Sequence, residues 1–342
     1  MTATRLDSLW RRGREFLGVE HAIMGGAMSW ISERHLVAAI SNAGGFGVVA
    51  CGSMNPEQLA AEIEATQTMT ARPFGVNLIT MHPQLVELID VCGRLQVGHV
   101  VLAGGLPPSA AMARIKEFGA KLMCFAPTVA VAKKLTRSGA DAIVIEGTEA
   151  GGHIGPVATS VLAQEILPAI RDVPVFVAGG IGRGEAIASY LEMGASGVQL
   201  GTRFVCATEC IAHPNFKRVF IRASARDAIP TVQVDANFPV IPVRALVNEG
   251  TKRFVAFQRE VIGRFDNGEL DQKAAQLAIE HFWAGALRRA VIEGDVENGS
   301  LMAGQSVGMV SSEQSTAAII AELVGQAEAA LASRDKAEPV IS

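Results

Sequence analysis

The sequence lacks the features that would point to a membrane, a metal or a nucleic acid. In 342 residues no apolar run reaches the roughly 18 residues that a membrane span needs. The five cysteines are odd in number and have no CxxC spacing, which argues against a disulfide framework and a structural zinc site, so we expect no metal. The net charge of -4 gives no basic footprint, so nucleic acid and anionic membrane surfaces are excluded as main partners.

Motifs of several common enzyme classes are also missing. The chain has no P-loop, GxSxG or HExxH pattern, so phosphoryl transfer, triad hydrolysis and zincin chemistry have no support. The stretch Gly44-Gly45-Phe46-Gly47 leads into a strand, whereas a dinucleotide fingerprint follows one, so we interpret it as a helix stop and tight turn. Residues 1–14 carry no apolar signal core, so we expect a cytoplasmic protein with a small-molecule partner.

What the sequence does contain is a regular succession of short apolar runs, separated by segments of helical period. With 49% hydrophobic and 19% charged residues, the chain can bury a large core. Eight strand–helix units in succession predict an α/β fold, a (β/α)8 TIM barrel. The runs are His21–Met24, Gly45–Ala50, Pro73–Ile79, His99–Ala103, Lys121–Ala126, Ala142–Ile145, Val173–Ala178 and Gly197–Phe204.

The strand rhythm stops after the eighth run. From Ala212 to Gly294 the sequence is more charged and has helical period, so we predict a helical insertion after strand 8. Residues 1–211 and 295–342 are then the barrel domain. Residues 212–294 are a helical insertion domain that acts as a substrate-specifying lid, because loops at that face set specificity in barrels.

One histidine is placed where α/β barrels keep their chemistry. His153 follows the apolar run Ala142–Ile145 and the glycines Gly151 and Gly152, which puts it at the C-terminal mouth of a strand. Adjacent glycines let the backbone approach a flat or anionic ligand closely, and an imidazole can accept a proton near pH 7. We therefore take His153 as the candidate catalytic residue; the alternative is a glycine turn with an incidental surface histidine.

Other strand ends carry residues suited to a phosphorylated planar cofactor. Small residues after the first run permit a ring to lie against the backbone, Asn77 offers an amide to a heterocycle edge, and Glu146 ends the sixth strand. Gly179-Gly180 and Gly201-Thr202 follow the seventh and eighth runs, where barrels commonly bind phosphate through backbone N–H groups. Arg203 is the nearest fixed positive charge, or else it forms a salt bridge at the barrel rim.

At these positions the chain resembles the FMN-dependent (β/α)8 oxidoreductases that include the nitronate monooxygenases, formerly called 2-nitropropane dioxygenases, and the flavin-dependent enoyl-ACP reductases. The resemblance runs nearly end to end. It rests on the motifs Gly25-Gly26-Ala27-Met28, Ser41-Asn42-Ala43-Gly44-Gly45, Phe74-Gly75-Val76-Asn77, Gly139-Ala140-Asp141-Ala142, Glu149-Ala150-Gly151-Gly152-His153, Ala178-Gly179-Gly180-Ile181, Gly201-Thr202-Arg203-Phe204 and Met302-Ala303-Gly304-Gln305.

The resemblance implies an FMN site at the barrel mouth, with His153 as the active-site histidine. That histidine serves as general base in the nitronate monooxygenases and sits beside the substrate in the reductases. The implied cofactor-binding residues are Gly25, Ala27, Met28 and Asn77 around the isoalloxazine, Glu146 and Gly152 close to its edge, and Gly179, Gly180, Gly201 and Thr202 at the phosphate, with Ala178 beside them.

For the activity, the resemblance implies oxidation of nitroalkanes or nitronates to a carbonyl compound and nitrite with O2. The first alternative is an NAD(P)H-dependent reductase of an enoyl-ACP thioester or a quinone. Gly-His-Ile-Gly and Gly-Thr-Arg-Phe match the reductases, but Met24 stands where they have glutamine. The second alternative is a barrel without flavin that uses the phosphate loops for another ligand. The oligomeric state, including a homodimer, stays open.

Overall fold

The computed structural model describes residues 4–235, 238 and 240–337, and within them eight parallel strands form a barrel wrapped by helices. The predicted (β/α)8 fold is confirmed. Residues 1–3 and 338–342 of the predicted barrel domain lie outside the described residues. The strands are β1 Ile23–Gly25, β2 Gly47–Ala50, β3 Phe74–Ile79, β4 His99–Ala103, β5 Lys121–Phe125, β6 Ala142–Glu146, β7 Gly152–His153, β8 Val175–Ala178, β9 Gly197–Leu200, β10 Ala228–Pro230 and β11 Val243–Leu246.

The barrel closes between its first two strands. Its strand order is β1-β9-β8-β6-β5-β4-β3-β2, and every pairing in it is parallel. A parallel bridge between Met24 and Phe46 joins the two ends of this sheet. Phe46 N donates to Ile23 O and Gly25 N donates to Phe46 O, each at 2.9 Å. The carboxyl ends of all eight strands therefore meet at one rim, which we call the barrel mouth.

The predicted runs match the observed strands closely, and the largest difference is at the last one. β4 has the predicted bounds, whereas β9 ends at Leu200 instead of Phe204. Gly201 has φ -105° and ψ -72°, which takes the chain out of the extended conformation, and Thr202–Phe204 form a 3-10 turn. The donors after this strand are therefore presented by a turn.

Helices connect the barrel strands on the outside. α4 shows why one such helix begins where it does: Asn55 and Gln58 form a capping box, with Pro56 at the first helical position. The helices are α1 Arg5–Leu9, α2 Arg11–Leu17, α3 Arg34–Asn42, α4 Pro56–Met69, α5 Leu85–Arg94, α6 Ser109–Glu117, α7 Val129–Arg137, α8 Thr159–Ile166, α9 Gly184–Glu192, α10 Pro214–Arg222, α11 Glu249–Asp266, α12 Gln272–Val291 and α13 Thr316–Ala337.

The barrel interior is a packed apolar plug and not a channel. Side chains from alternate strand positions fill it, as expected for a barrel of eight strands. This plug supports the floor of the mouth, where polar side chains begin. Its buried members are Leu17, Met24, Phe46, Val48, Val101, Met123, Ala142, Val144, Phe176 and Ala178.

The insertion contains the predicted helices and also two short strands, which its helical period did not predict. β10 pairs antiparallel with β11, and β11 pairs antiparallel with β7 of the barrel part of the chain. A separate apolar cluster packs α11 and α12 against β11, and the division into two domains stays a prediction. The buried members of that cluster are Phe238, Val243, Phe254, Val261, Ile262, Ala275, Ile279 and Trp283.

Candidate active site

Four adjacent strand ends bring most of the predicted site residues to one side of the barrel mouth. Glu146 at the end of β6 pairs with Ala178 at the end of β8, and Ala178 pairs with Gln199 of β9. Leu200, the last residue of β9, pairs with Gly25 of β1. The loops that follow these strands therefore start side by side.

Two of these loops present a group of main-chain donors. Gly179 and Gly180 have φ of +97° and +72°, conformations that favour glycine. Within the described residues, no protein acceptor is found for the N–H groups of Gly179, Gly180, Gly201 and Thr202. We call these four donors the N–H cradle. Grouped N–H donors at strand ends bind anions, so the cradle fits a phosphate.

The loop after β1 lies against the loop after β9. Gly26 N donates to Leu200 O at 2.8 Å, and a Cβ added to Gly201 would lie 3.3 Å from Met28 Sδ. Ala27 and Met28 are both half-buried. This loop and the N–H cradle therefore border the same part of the mouth, as a single extended cofactor requires.

Two other predicted residues have clear packing environments. A Cβ on Gly25 would lie 2.5 Å from Ile40 Cδ1, so a larger residue there would have to displace the end of that α3 side chain. Asn77 is 5% exposed, and its Nδ2 donates to Val101 O at 3.4 Å. Because Asn77 pairs with Val101, a member of the interior plug, its amide faces the barrel interior across from β6 and β8.

His153 belongs to a strand held by the insertion. With Gly152 it forms β7, where it pairs with Val243 of β11, and Ile154 N donates to Pro242 O at 3.0 Å. His153 is exposed. We call residues 147–155 the histidine segment. The insertion therefore fixes the backbone of this segment, whose histidine side chain is exposed.

Glu146 is the acid of the mouth. Desolvation raises the pKa of its carboxyl to about 7, and the charge of His153 opposes that rise. A carboxyl with this pKa holds its proton up to near neutrality and can then donate a hydrogen bond. Because the charge of His153 influences the pKa of Glu146, the two side chains lie in the same region of the mouth.

The hydroxyl of Thr202 connects the cradle to the histidine segment. Thr202 Oγ1 accepts from Gly304 N at 2.9 Å and keeps its own proton to donate. A Cβ on Gly304 would lie 2.8 Å from the carbonyl oxygen of Glu149, to which Gln305 N donates at 2.9 Å. A substitution of Thr202 should therefore affect both the N–H cradle and the histidine segment.

Arg203 forms the rim salt bridge. Its Nη2 lies 2.8 Å from Glu322 Oε2 and donates to Gln314 Oε1 at 3.0 Å. The guanidinium is buried between the rim and α13. Of the two interpretations of this residue, the structure shows the ion pair.

The chain matches a known protein family over most of its length. Residues 12–95 and 85–326 match the family model described as nitronate monooxygenase, which covers most of the chain. The chain belongs to the nitronate monooxygenase family. This membership confirms the resemblance and the oxidoreductase class, and it implies a flavin as the cofactor class.

The names of the relatives describe different reactions. The chain is 34% identical to a (3aS,4S,5R,7aS)-5-hydroxy-7a-methyl-1-oxo-octahydro-1H-indene-4-carboxyl-CoA dehydrogenase of Mycobacterium tuberculosis, over 69% of this chain and 65% of that protein. It is 28% identical to a probable nitronate monooxygenase of Staphylococcus aureus, over 65% and 76%. The match therefore spans less than two thirds of the dehydrogenase.

Solved structures match over nearly the whole chain. FabK from Thermotoga maritima has a TM-score of 0.83 and 33% identity, covering 98% of this chain and 99% of that one. The nitroalkane oxidase from Streptomyces ansochromogenes has a TM-score of 0.76 and 26% identity, covering 92% and 98%. The insertion is thus included in the structural likeness.

Gln199 is a polar residue of the mouth for which sequence reasoning assigned no role. Gln199 is 8% exposed and lies in register between Met24 and Ala178, both members of the interior plug. Its Nε2 would be 3.6 Å from a Cβ on Gly26. A single amide within an otherwise apolar strand was the available signal.

The part of the chain that the structure describes contains neither a metal-binding cluster nor a membrane-spanning helix. No group of three or more His, Cys, Asp or Glu residues there could hold a metal ion. No helix there is long and apolar enough to cross a membrane.

Proposed function

We propose that the chain is an FMN-dependent oxidoreductase of the nitronate monooxygenase type, which converts a nitroalkane or its nitronate to a carbonyl compound and nitrite with O2. The observation that carries the proposal is the N–H cradle at the same mouth as Glu146 and His153. Family membership supports the reaction class.

The number of donors in the cradle supports FMN as the flavin. Four N–H donors and the hydroxyl of Thr202 match the oxygens of a terminal monophosphate at the rim. FMN ends in such a group. FAD would need further space beyond this phosphate group for its adenylate half.

A flavin whose phosphate is held by Gly179, Gly180, Gly201 and Thr202 would supply the redox chemistry between the substrate anion and O2. The protein supplies position, a base and hydrogen-bond donors. His153 takes the α-proton of a neutral nitroalkane, because its imidazole is exposed at the mouth and its backbone is fixed in β7. Glu146, protonated up to near neutrality, donates a hydrogen bond toward negative charge in the mouth.

A second candidate is an NAD(P)H-dependent reductase acting on an enoyl thioester. The 33% identity to FabK over nearly all of both chains favours it, as does the likeness to a CoA-thioester dehydrogenase. In that reaction His153 would orient the thioester carbonyl and need not remove a proton.

The two candidates are separated by mixing the flavin-loaded protein anaerobically with NADH, NADPH or a nitronate and following the flavin absorbance. Bleaching by nitronate and not by a nicotinamide supports the monooxygenase. Bleaching by NADH or NADPH alone supports the reductase. A colourless protein that cannot be reconstituted with FMN would overturn both candidates.

A further inference from the structure

A buried arginine of the insertion reaches into the histidine segment. Arg244, in β11, is 5% exposed. Its Nε donates to Thr148 O at 2.8 Å, its Nη1 to Ala228 O at 2.6 Å, and its Nη2 to Thr148 Oγ1 at 3.5 Å. The guanidinium therefore joins β10 to the histidine segment two residues after Glu146.

The acceptors of this guanidinium are two carbonyls and a hydroxyl, none of them charged. Burial lowers the pKa of Arg244, and the charge of Glu149 partly offsets that effect. Burying a cation on neutral acceptors is costly, and an apolar side chain would fill the same space with less penalty. Filling space therefore does not explain why an arginine occupies this position, and its hydrogen bonds are the feature that an apolar residue could not supply.

The same strand also holds the other end of the segment. Arg244 pairs with Gly152 and Val243 pairs with His153 in the β11–β7 ladder. Thr148 N donates to Val157 O at 2.8 Å, so the point that Arg244 contacts is fixed from the opposite side as well. β11 thus contacts the histidine segment at two points: the Arg244 side chain binds Thr148, and the β11 backbone pairs with residues 152–153.

We infer that Arg244 is a positioning residue for His153: it fixes the span between Thr148 and β7 and so sets where the imidazole stands at the mouth. This inference rests on the proposed function, in which His153 contacts the substrate. Through Arg244, the insertion sets the geometry of the reacting group.

The test uses hydrogen–deuterium exchange on the protein as purified, comparing Arg244→Met, Arg244→Lys and the control Arg226→Met. Arg226 is 91% exposed, and among the described residues its side chain forms a long ion pair with its neighbour Asp227. A hydrogen bond from a charged donor changes a local opening equilibrium by roughly tenfold to a hundredfold. We expect that increase in exchange over residues 147–155 in Arg244→Met, a smaller one in Arg244→Lys, and none in Arg226→Met.

Activity gives a second readout. With a neutral nitroalkane, kcat of Arg244→Met should fall about tenfold or more while KM changes little, because the base is displaced and binding is kept. Partial recovery of kcat in Arg244→Lys is expected, since one donor can still reach Thr148 O.

Wild-type exchange over residues 147–155 in Arg244→Met would overturn the inference. If exchange in that variant rises throughout the protein, Arg244→Lys decides: an increase confined to the histidine segment supports the inference, and a uniform increase or none overturns it. Absence of nitroalkane turnover in the wild type would count against the proposed function alone, because exchange is measured without substrate.

Discussion

Trp30 donates its indole N–H to the carbonyl oxygen of Ala284 across 3.2 Å, and the two residues belong to different parts of the molecule. Trp30 lies in the loop after β1, and Ala284 lies in α12 of the insertion. Trp30 has φ +66°, a left-handed conformation that is rare for a bulky residue, and the Arg288 guanidinium is 5.9 Å from its ring. The insertion therefore holds the loop that borders the proposed flavin site.

Replacing Trp30 with Phe keeps a ring and removes the hydrogen bond to Ala284. The loss of about 1 kcal/mol should weaken FMN binding by roughly fivefold to tenfold, because the loop after β1 is no longer fixed. Titration of the flavin-free protein with FMN, followed by flavin fluorescence, measures the change. Unchanged affinity together with an unchanged urea midpoint would show that this hydrogen bond does not order the loop.

Replacing Thr202 with Val removes, at nearly constant volume, the hydroxyl donor beside the N–H cradle, together with the acceptor of Gly304 N. A hydrogen bond to a charged group contributes about 1.5–3 kcal/mol, so FMN affinity should fall by about tenfold or more, and Thr202→Ser should keep most of it. Flavin content after purification and the FMN dissociation constant give the comparison. If Val and Ser variants bind FMN equally well, the hydroxyl of Thr202 does not contact the phosphate.

Glu146→Gln tests the raised pKa of the mouth acid. Folding raises this pKa from 4.5 to about 7, so the stability that the carboxyl contributes is fully present below pH 4.5 and is lost as the pH rises through 7. Relative to the glutamine variant, the flavin-free wild type should lose up to about 3 kcal/mol of unfolding free energy between pH 4.5 and pH 8. Urea denaturation across that range measures it, and parallel pH profiles for the two proteins would contradict the shift.

The helical part of the insertion can be removed at a point where its ends meet. Asn248 Nδ2 donates to Val296 O at 2.7 Å and to Gly299 O at 2.8 Å, so residues 249–296 can be replaced by a short Gly-Ser linker. We expect FMN to stay bound, weakened as in Trp30→Phe, and the preference among nitroalkanes of different chain length to change. Retained flavin with an unchanged preference would mean that these helices are a structural or oligomer contact and not a lid.

The sequence predicted the parts of this fold that depend on local pattern. Buried strands such as β4 and β6 are continuous apolar runs, and the glycines after β8 stand where the backbone requires positive φ. β10 and β11 escaped prediction because three or four residues become strands only by pairing with each other and with β7.

Long-range polar contacts were beyond sequence reasoning for a different reason. A charged residue such as Arg244 is expected to be exposed. In the structure it is buried, because Thr148 and Ala228, which are distant in sequence, supply its hydrogen-bond acceptors. Likewise, nothing local links Trp30 to Ala284, which is 254 residues away in the chain. The site residues could be named from motifs, but the means by which the insertion holds them could not.

The most direct test of the account is the pair of activities of His153→Ala on a neutral nitroalkane and on the corresponding preformed nitronate, with the exposed His35→Ala as control. If His153 is the base, turnover of the neutral substrate should fall by on the order of 10²–10⁴-fold, while the nitronate, which needs no deprotonation, should be affected much less. Equal losses on both substrates would contradict the assignment of His153 as the base.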